Sequence, residues 1–151
     1  MTEIKVFTDG SCMKSSKYCG YGIHYPNGEL KDVGEKFTIE PLTNQRAELY
    51  AIYKALSDIS TYKKTININL YTDSEYSINS LTKWIKKWKL NNWINSQGKP
   101  VKNKDILEKI DEIINNHNGK IKFNHVYSHT KKLDYDSIHN DIADKLAKSK
   151  K

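Results

Sequence analysis

Four carboxylates in this 151-residue chain, Asp9, Glu48, Asp73 and Asp144, each stand at the end of a strand-like run or on a helix able to pack beside one. Acids in that number and at such places suit a site for divalent metal ions, because hard cations such as magnesium take oxygen ligands and are poorly served by thiolate or imidazole. Two such ions, roughly 3.5–4 Å apart, can activate a water and stabilise the leaving oxygen of an in-line displacement, which is phosphodiester hydrolysis without a protein nucleophile. No serine or cysteine in the same strings has a base and an orienting acid beside it, which agrees with that chemistry.

The elements that must position these acids are legible around them. Ile4-Lys5-Val6-Phe7-Thr8 reads as a strand that stops at Gly10-Ser11, so Asp9 lies at its carboxyl tip. Asp73 repeats the pattern after the alternating run of residues 66–72, and Ser74 follows as a natural helix N-cap. Glu48 falls one turn into a segment opened by Thr43, in which Ala47, Leu49, Ala51, Ile52, Ala55, Leu56 and Ile59 recur at helical spacing, and the alanines would let that helix lie close to a sheet. Asp144 belongs to a last helix over residues 138–148, with Ile142, Ala143, Leu146 and Ala147 facing inward and Lys145 and Lys148 outward. Taken singly, each acid has a plainer reading as a turn residue or a cap. The neighbouring residues decide between the two.

Phe-Thr-Asp-Gly-Ser at 7–11, Thr-Asn-Gln-Arg-Ala-Glu-Leu at 43–49, Tyr-Thr-Asp-Ser-Glu-Tyr at 71–76 and Asn-Asp-Ile-Ala-Asp-Lys-Leu-Ala at 140–147 resemble, in the same order, the motifs of the type 1 ribonuclease H family. The resemblance runs over about residues 5–147. It implies an endoribonuclease that hydrolyses the RNA strand of RNA–DNA hybrids, largely without regard to sequence. Asp9, Glu48, Asp73 and Asp144 would hold two Mg²⁺ ions, with Mn²⁺ as a substitute, and His129 in Val-Tyr-Ser-His-Thr matches the family's mobile catalytic histidine. Asp141 is a near miss in the last helix. Asp144 is preferred because Asn140, Leu146 and Ala147 then fall where the family has them, which leaves Asp141 as a first-turn acid favoured by the helix dipole.

Charge points to the same partner. The chain has 25 basic and 18 acidic residues, yet residues 76–104 carry seven lysines and no acid, so the rest of the chain is balanced. All three tryptophans, Trp84, Trp88 and Trp93, fall in that stretch. Lysines there can meet phosphates while flat rings meet sugars or bases. The plainer reading is a packed helix face carrying solvated lysines. The string Thr-Lys-Trp-Ile-Lys-Lys-Trp-Lys-Leu-Asn-Asn-Trp at 82–93 looks like the basic protrusion of cellular members, which separates it from reverse-transcriptase ribonuclease H domains that lack one. By the resemblance, Tyr76, Trp84 and Trp88 line a channel beside the DNA sugars, Lys86 and Lys87 belong to the protrusion, Thr43 and Asn103 bind a DNA phosphate, and Asn44 and Gln45 face the minor groove. A hybrid is selected because one strand offers 2′-hydroxyls while the other is flexible enough to fit the channel. Pro41 stands where some members place a phosphate-binding arginine, and Arg46 is the chain's one arginine, so the phosphate grip falls to Thr43, Asn103 and lysines.

The remaining segments complete an α/β pattern. A hairpin over 21–38 turns at Pro26-Asn27-Gly28, residues 103–116 read as a helix, and 120–127 as a last strand. The order βββαβα…αβα predicts a sheet that is part antiparallel and part parallel. With the resemblance it becomes a ribonuclease H-like fold: a mixed five-stranded sheet, three antiparallel strands then two parallel, flanked by helices, as a single domain over 1–151 without a separate hybrid-binding domain. A monomer is expected. Cys12 and Cys19 are too few for a zinc site and fit a reducing compartment, so a bridge between them is not expected. The histidines at 24, 117, 125 and 139 have no ligand spacing and read as surface or strand-packing residues. No membrane-length apolar run or signal peptide is evident, which makes the cytoplasm the default location and leaves nucleus or organelle open. Two alternatives remain at this point: a DNA-cutting integrase- or resolvase-like nuclease of the same fold, and a catalytically inactive hybrid-binding module.

Overall fold

The computed structural model describes residues 2–13, 18–127 and 134–149. Strands β1 (Glu3–Cys12), β2 (Cys19–His24) and β3 (Val33–Phe37) lead to helix α1 (Asn44–Tyr62) and strand β4 (Asn67–Thr72). Then come α2 (Glu75–Asn79), a π-helical turn (Ser80–Trp84), α3 (Ile85–Leu90), α4 (Lys104–Asn116), strand β5 (Ile121–His125) and α5 (Tyr135–Ser149). The strands make one sheet in the order β3-β2-β1-β4-β5. β1, β2 and β3 are antiparallel, while β1 with β4 and β4 with β5 are parallel, as the element order predicts.

β1 is central and covered on both faces, since Ile4, Val6 and Thr8 on one side and Phe7 and Asp9 on the other are all buried. Residues opposed across an antiparallel pair share a face. Gly10 opposes Tyr21, whose ring meets Tyr50 of α1 edge-on at 5.1 Å, whereas Asp9 opposes Gly22, which lies under Ala143 of α5. α1 and α5 therefore cover opposite faces, and α4 packs on α1. Leu49, Ile52, Leu56 and Ile59 of α1 are fully buried, each contributing about 1.5–3 kcal/mol relative to exposure. The predicted caps form: Thr43 Oγ1 accepts the Arg46 amide at 3.1 Å, and Ser74 Oγ accepts that of Ser77 at 3.1 Å.

Two expectations are corrected. Cys12 and Cys19 are bonded to each other, because the β1–β2 register sets them directly opposite where the connecting loop closes the hairpin, so they no longer support a reducing compartment. α5 begins at Tyr135, with the Asp134 carboxylate accepting from the Ser137 amide at 2.8 Å. Its first-turn acid is thus Asp136, and Asp141 sits a turn further on, exposed and paired with Lys145 at 3.0 Å. His24 packs within β2, as one of its two expected readings has it, and its ring bonds add to that packing. It is buried, with Nδ1 against Asp32 at 2.7 Å and Nε2 against Nδ1 of His139 at 2.8 Å, a bond that ties α5 to the sheet. Among the described residues no helix is long and apolar enough to cross a membrane.

Candidate active site and nucleic-acid interface

The acids meet where two parallel strands end. Pairing between β1 and β4 stops at Phe7 and Tyr71, yet β1 runs on to Cys12 along β2, which leaves a gap beyond the carboxyl ends of β1 and β4. Open α/β sheets place ligands in such a crevice. Asp9 enters it from β1, Asp73 from just past β4, and Glu48 from α1. One carboxylate oxygen from each of these three lies within 4.8 Å of the others. Gly10 permits this, because a Cβ there would stand 2.3 Å from the Glu48 backbone nitrogen, and any side chain would push α1 away with Glu48 on it. The Gly10 amide donates to Glu48 Oε1, so the same contact aims the carboxylate. Gly22 does likewise for α5: a Cβ there would lie 2.3 Å from the Ala143 carbonyl, and Asp144 is the next residue.

The electrostatics record how closely the acids are gathered. Burial pushes the Asp9 carboxyl from 3.8 up to about 8; a hydrogen bond with Glu48 lowers it, and the charges of Asp73 and Asp144 raise it further. Glu48 is raised well above its ordinary range by burial and then by Asp9 and Asp73. At neutral pH without metal, the Asp9–Glu48 pair therefore retains a proton. Asp144 is outside the three-oxygen group and bears on it through Asp9; its own carboxylate takes the Lys148 ammonium at 2.9 Å. An all-oxygen donor set that is partly protonated for want of positive charge fits a hard divalent cation. His129 lies outside the described residues.

The residues expected to meet nucleic acid form a second, contiguous surface. Thr43, Asn44 and Gln45 are exposed at the start of α1, and Asn44 Oδ1 accepts the Cys12 amide at 2.7 Å. Rings run from Tyr76 to Trp84 (6.3 Å), Trp88 (5.9 Å) and Trp93 (6.4 Å), and the Asn103 amide donates to the Tyr76 hydroxyl at 2.8 Å. Leu81 and Ile85 carry the inward packing, which leaves Trp84 39% exposed and Trp88 half-buried. A cleft of about 490 Å³ opens beside them, lined by Trp84, Lys87, Trp88 and Asn91 among others. Lys86 and Lys87 project into solvent, whereas Lys89 is taken by Asp111 at 2.7 Å.

Sequence reasoning passed over Arg46, which is 2% exposed and grips both oxygens of Asp105 at 2.8 Å. A signal was present. A cation in the first turn of a helix opposes the helix dipole, a cost that a carboxylate partner offsets.

The whole chain, residues 1–151, matches the family model described as RNase H. A "Ribonuclease HI" from Haemophilus influenzae is 40% identical over 148 residues, covering 97% of this chain and 88% of its own. A "Probable ribonuclease H" from Acanthamoeba polyphaga mimivirus is 42% identical over 132 residues, covering 86% of this chain, which spans 57% of that relative's length. Among solved structures, the solution structure of the PFV RNase H domain superposes with a TM-score of 0.74 at 26% identity, covering 96% of this chain and 92% of its own. The acid-lined crevice, the sheet order and these matches have one reading: the chain belongs to the type 1 ribonuclease H family.

Proposed function

We propose that Asp9, Glu48, Asp73 and Asp144 hold two Mg²⁺ ions with which this ribonuclease H hydrolyses the RNA strand of RNA–DNA hybrids. The observation that carries the assignment is the convergence of Asp9, Glu48 and Asp73 oxygens within 4.8 Å in a crevice already short of positive charge. When bound, such ions supply charge neutralisation, an activated water and stabilisation of the leaving 3′ oxygen. The protein's own groups do the rest. Asp9 and Glu48 give up their shared proton on loading, Asp144 closes the α5 side of the crevice, and His129 delivers a proton to the leaving oxygen. Thr43 and Asn103 hold a DNA phosphate, Asn44 and Gln45 meet the minor groove, and Tyr76, Trp84 and Trp88 flank the DNA sugars while Lys86 and Lys87 neutralise phosphates. One chain carries every acid, so the monomer is the working unit.

A DNA-cutting relative would share the acids but not the tryptophan-lysine arm, and an inactive binding module would not keep four acids that repel one another. Labelled RNA–DNA, RNA–RNA and DNA–DNA duplexes, incubated with Mg²⁺ and with chelator, separate the three. Cleavage of RNA in the hybrid alone, abolished by chelator, is the expected outcome. Cutting of duplex DNA, or binding of hybrid without cutting, would replace the proposal with one of the other two.

A further inference from the structure

Thr43, Asn103 and Tyr76 share a property that neither their types nor their positions in the chain reveal: each has its acceptor engaged inside the protein and a donor left over. Thr43 Oγ1 accepts the Arg46 backbone amide at 3.1 Å. Asn103 Oδ1 faces Arg46 Nη1 at 3.5 Å, and its Nδ2 donates to the Tyr76 hydroxyl at 2.8 Å. What remains is one hydroxyl hydrogen on Thr43, one amide hydrogen on Asn103 and one phenolic hydrogen on Tyr76, with no acceptor for any of them among the described residues.

Arg46 stands behind this arrangement. Its side chain is 3% exposed, makes two parallel 2.8 Å bonds to Asp105 in the first turn of α4, and reaches the Glu40 carbonyl at 3.3 Å. It thereby ties the loop before α1, α1 itself and the start of α4 together. Its charge is answered by Asp105, whose carboxyl it holds below the usual range, so it has little left to attract a phosphate directly. Asn103, just outside α4, has φ +67°, a left-handed conformation that asparagine tolerates and which fixes where its side chain departs. The backbone does not fix which way the amide is turned. A cation behind Oδ1 does, because the flipped amide would point NH₂ at Arg46 and set its oxygen against the Tyr76 hydroxyl, which would consume the Tyr76 hydrogen and leave a lone pair where an anion would sit.

We infer that Arg46 is a positioning residue that sets the polarity of a neutral donor pocket formed by Thr43, Asn103 and Tyr76 for one DNA-strand phosphate. The inference rests on the proposal that these residues bind hybrid. Arg46 touches no substrate and acts through Asn103 and the Asp105 bond, so it governs KM and leaves the chemical step alone.

The test uses Arg46→Lys and Asp105→Asn, with folding checked by thermal melts. Lysine keeps the charge but loses the parallel pair of bonds, and Asp105→Asn loosens the same clamp from the other side should Arg46→Lys not fold. Steady-state cleavage is measured on unmodified hybrid and on hybrids in which one DNA phosphate at a time is replaced by an uncharged methylphosphonate. Wild type should show a KM raised about tenfold at one modified position, as for a lost hydrogen bond to a charged group. Both variants should show a raised KM on unmodified hybrid, by about tenfold for Arg46→Lys and less for Asp105→Asn, with kcat within about twofold and little sensitivity left at that position. Variants that keep the full methylphosphonate effect, or that lose kcat at unchanged KM through neighbouring Glu48, would overturn the role of Arg46 while leaving the pocket standing. Wild type indifferent to every methylphosphonate, with Thr43→Val equally without effect, would overturn the pocket itself and the inference with it.

Discussion

The acid crevice and the tryptophan-lysine arm carry opposite charges and are built in opposite ways. The crevice draws one side chain from each of β1, α1, the β4 terminus and α5, residues up to 135 positions apart, and buries the first of them, Asp9, until it titrates near 8. The arm is one local stretch in which Lys86 and Lys87 stay solvated and the rings touch in sequence. Charge gathered by long-range packing costs stability and acts on the reaction, whereas charge carried on an exposed local helix costs little and acts on affinity. Substitutions in the two regions should therefore differ in kind as well as in size.

Between neighbouring residues of one element, the widest contrast is expected within α5. Asp144→Asn should slow cleavage roughly a hundredfold or more, about 3 kcal/mol of transition-state stabilisation, while exposed Asp141→Asn stays near wild type; the reverse order in single-turnover assays would place the wrong acid at the crevice. His129→Ala comes next, with turnover reduced roughly 10- to 100-fold, at or below the usual range for a general acid or base because water can partly substitute. A wild-type rate would remove His129 from the reaction.

On the arm, replacing Lys86 and Lys87 together should weaken hybrid binding by roughly tenfold at low salt and flatten the log–log salt slope by about one to two, as for one or two fewer phosphate contacts. Turnover of bound hybrid should hold. Lys89→Ala should move the slope little, because its ammonium is already paired with Asp111. An unchanged slope in the double variant would mean that the arm is a solvated helix and nothing more.

The smallest effect concerns stability without metal. The folded-state pKa of Asp9, raised from 3.8 to about 8, means that wild type has its full stability from this group below about pH 4 and loses it as pH rises through 8. Asp9→Asn removes that loss. In chelator the variant should melt higher than wild type by about 2–4 °C at pH 8, on the order of 1 kcal/mol for a chain of this size, with the gap shrinking toward pH 5. Added Mg²⁺ should stabilise wild type more than the variant. A lower melt for Asp9→Asn at pH 8 would show that the hydrogen bond with Glu48 outweighs the repulsion.

Local strings disclosed most of the fold and the placement of the four acids, because a strand tip, a cap and an amphipathic face are each written within a few neighbouring residues. What they hid depends on register and docking. Cys12 and Cys19 are partners only because the hairpin sets them opposite each other, and seven residues of separation do not dictate that register. His24 finds His139 115 positions away, and Arg46 finds Asp105 59 positions away, through the packing of α5 on β2 and of α4 on α1. Gly10 looks like a turn residue in the string Asp-Gly-Ser; its use, admitting Glu48 to within reach of Asp9, appears only once α1 lies across β1. The apolar repeat alone starts the last helix at Ile138, three positions late, because its cap, Asp134, lies outside that repeat.

The division of labour between the two regions is tested most directly by Asp73→Asn, measured on one labelled RNA–DNA hybrid for equilibrium binding and for single-turnover cleavage at saturating enzyme in Mg²⁺. The account predicts a dissociation constant within about threefold of wild type and cleavage reduced by roughly a thousandfold or more, about 4 kcal/mol. Cleavage near the wild-type rate would contradict it.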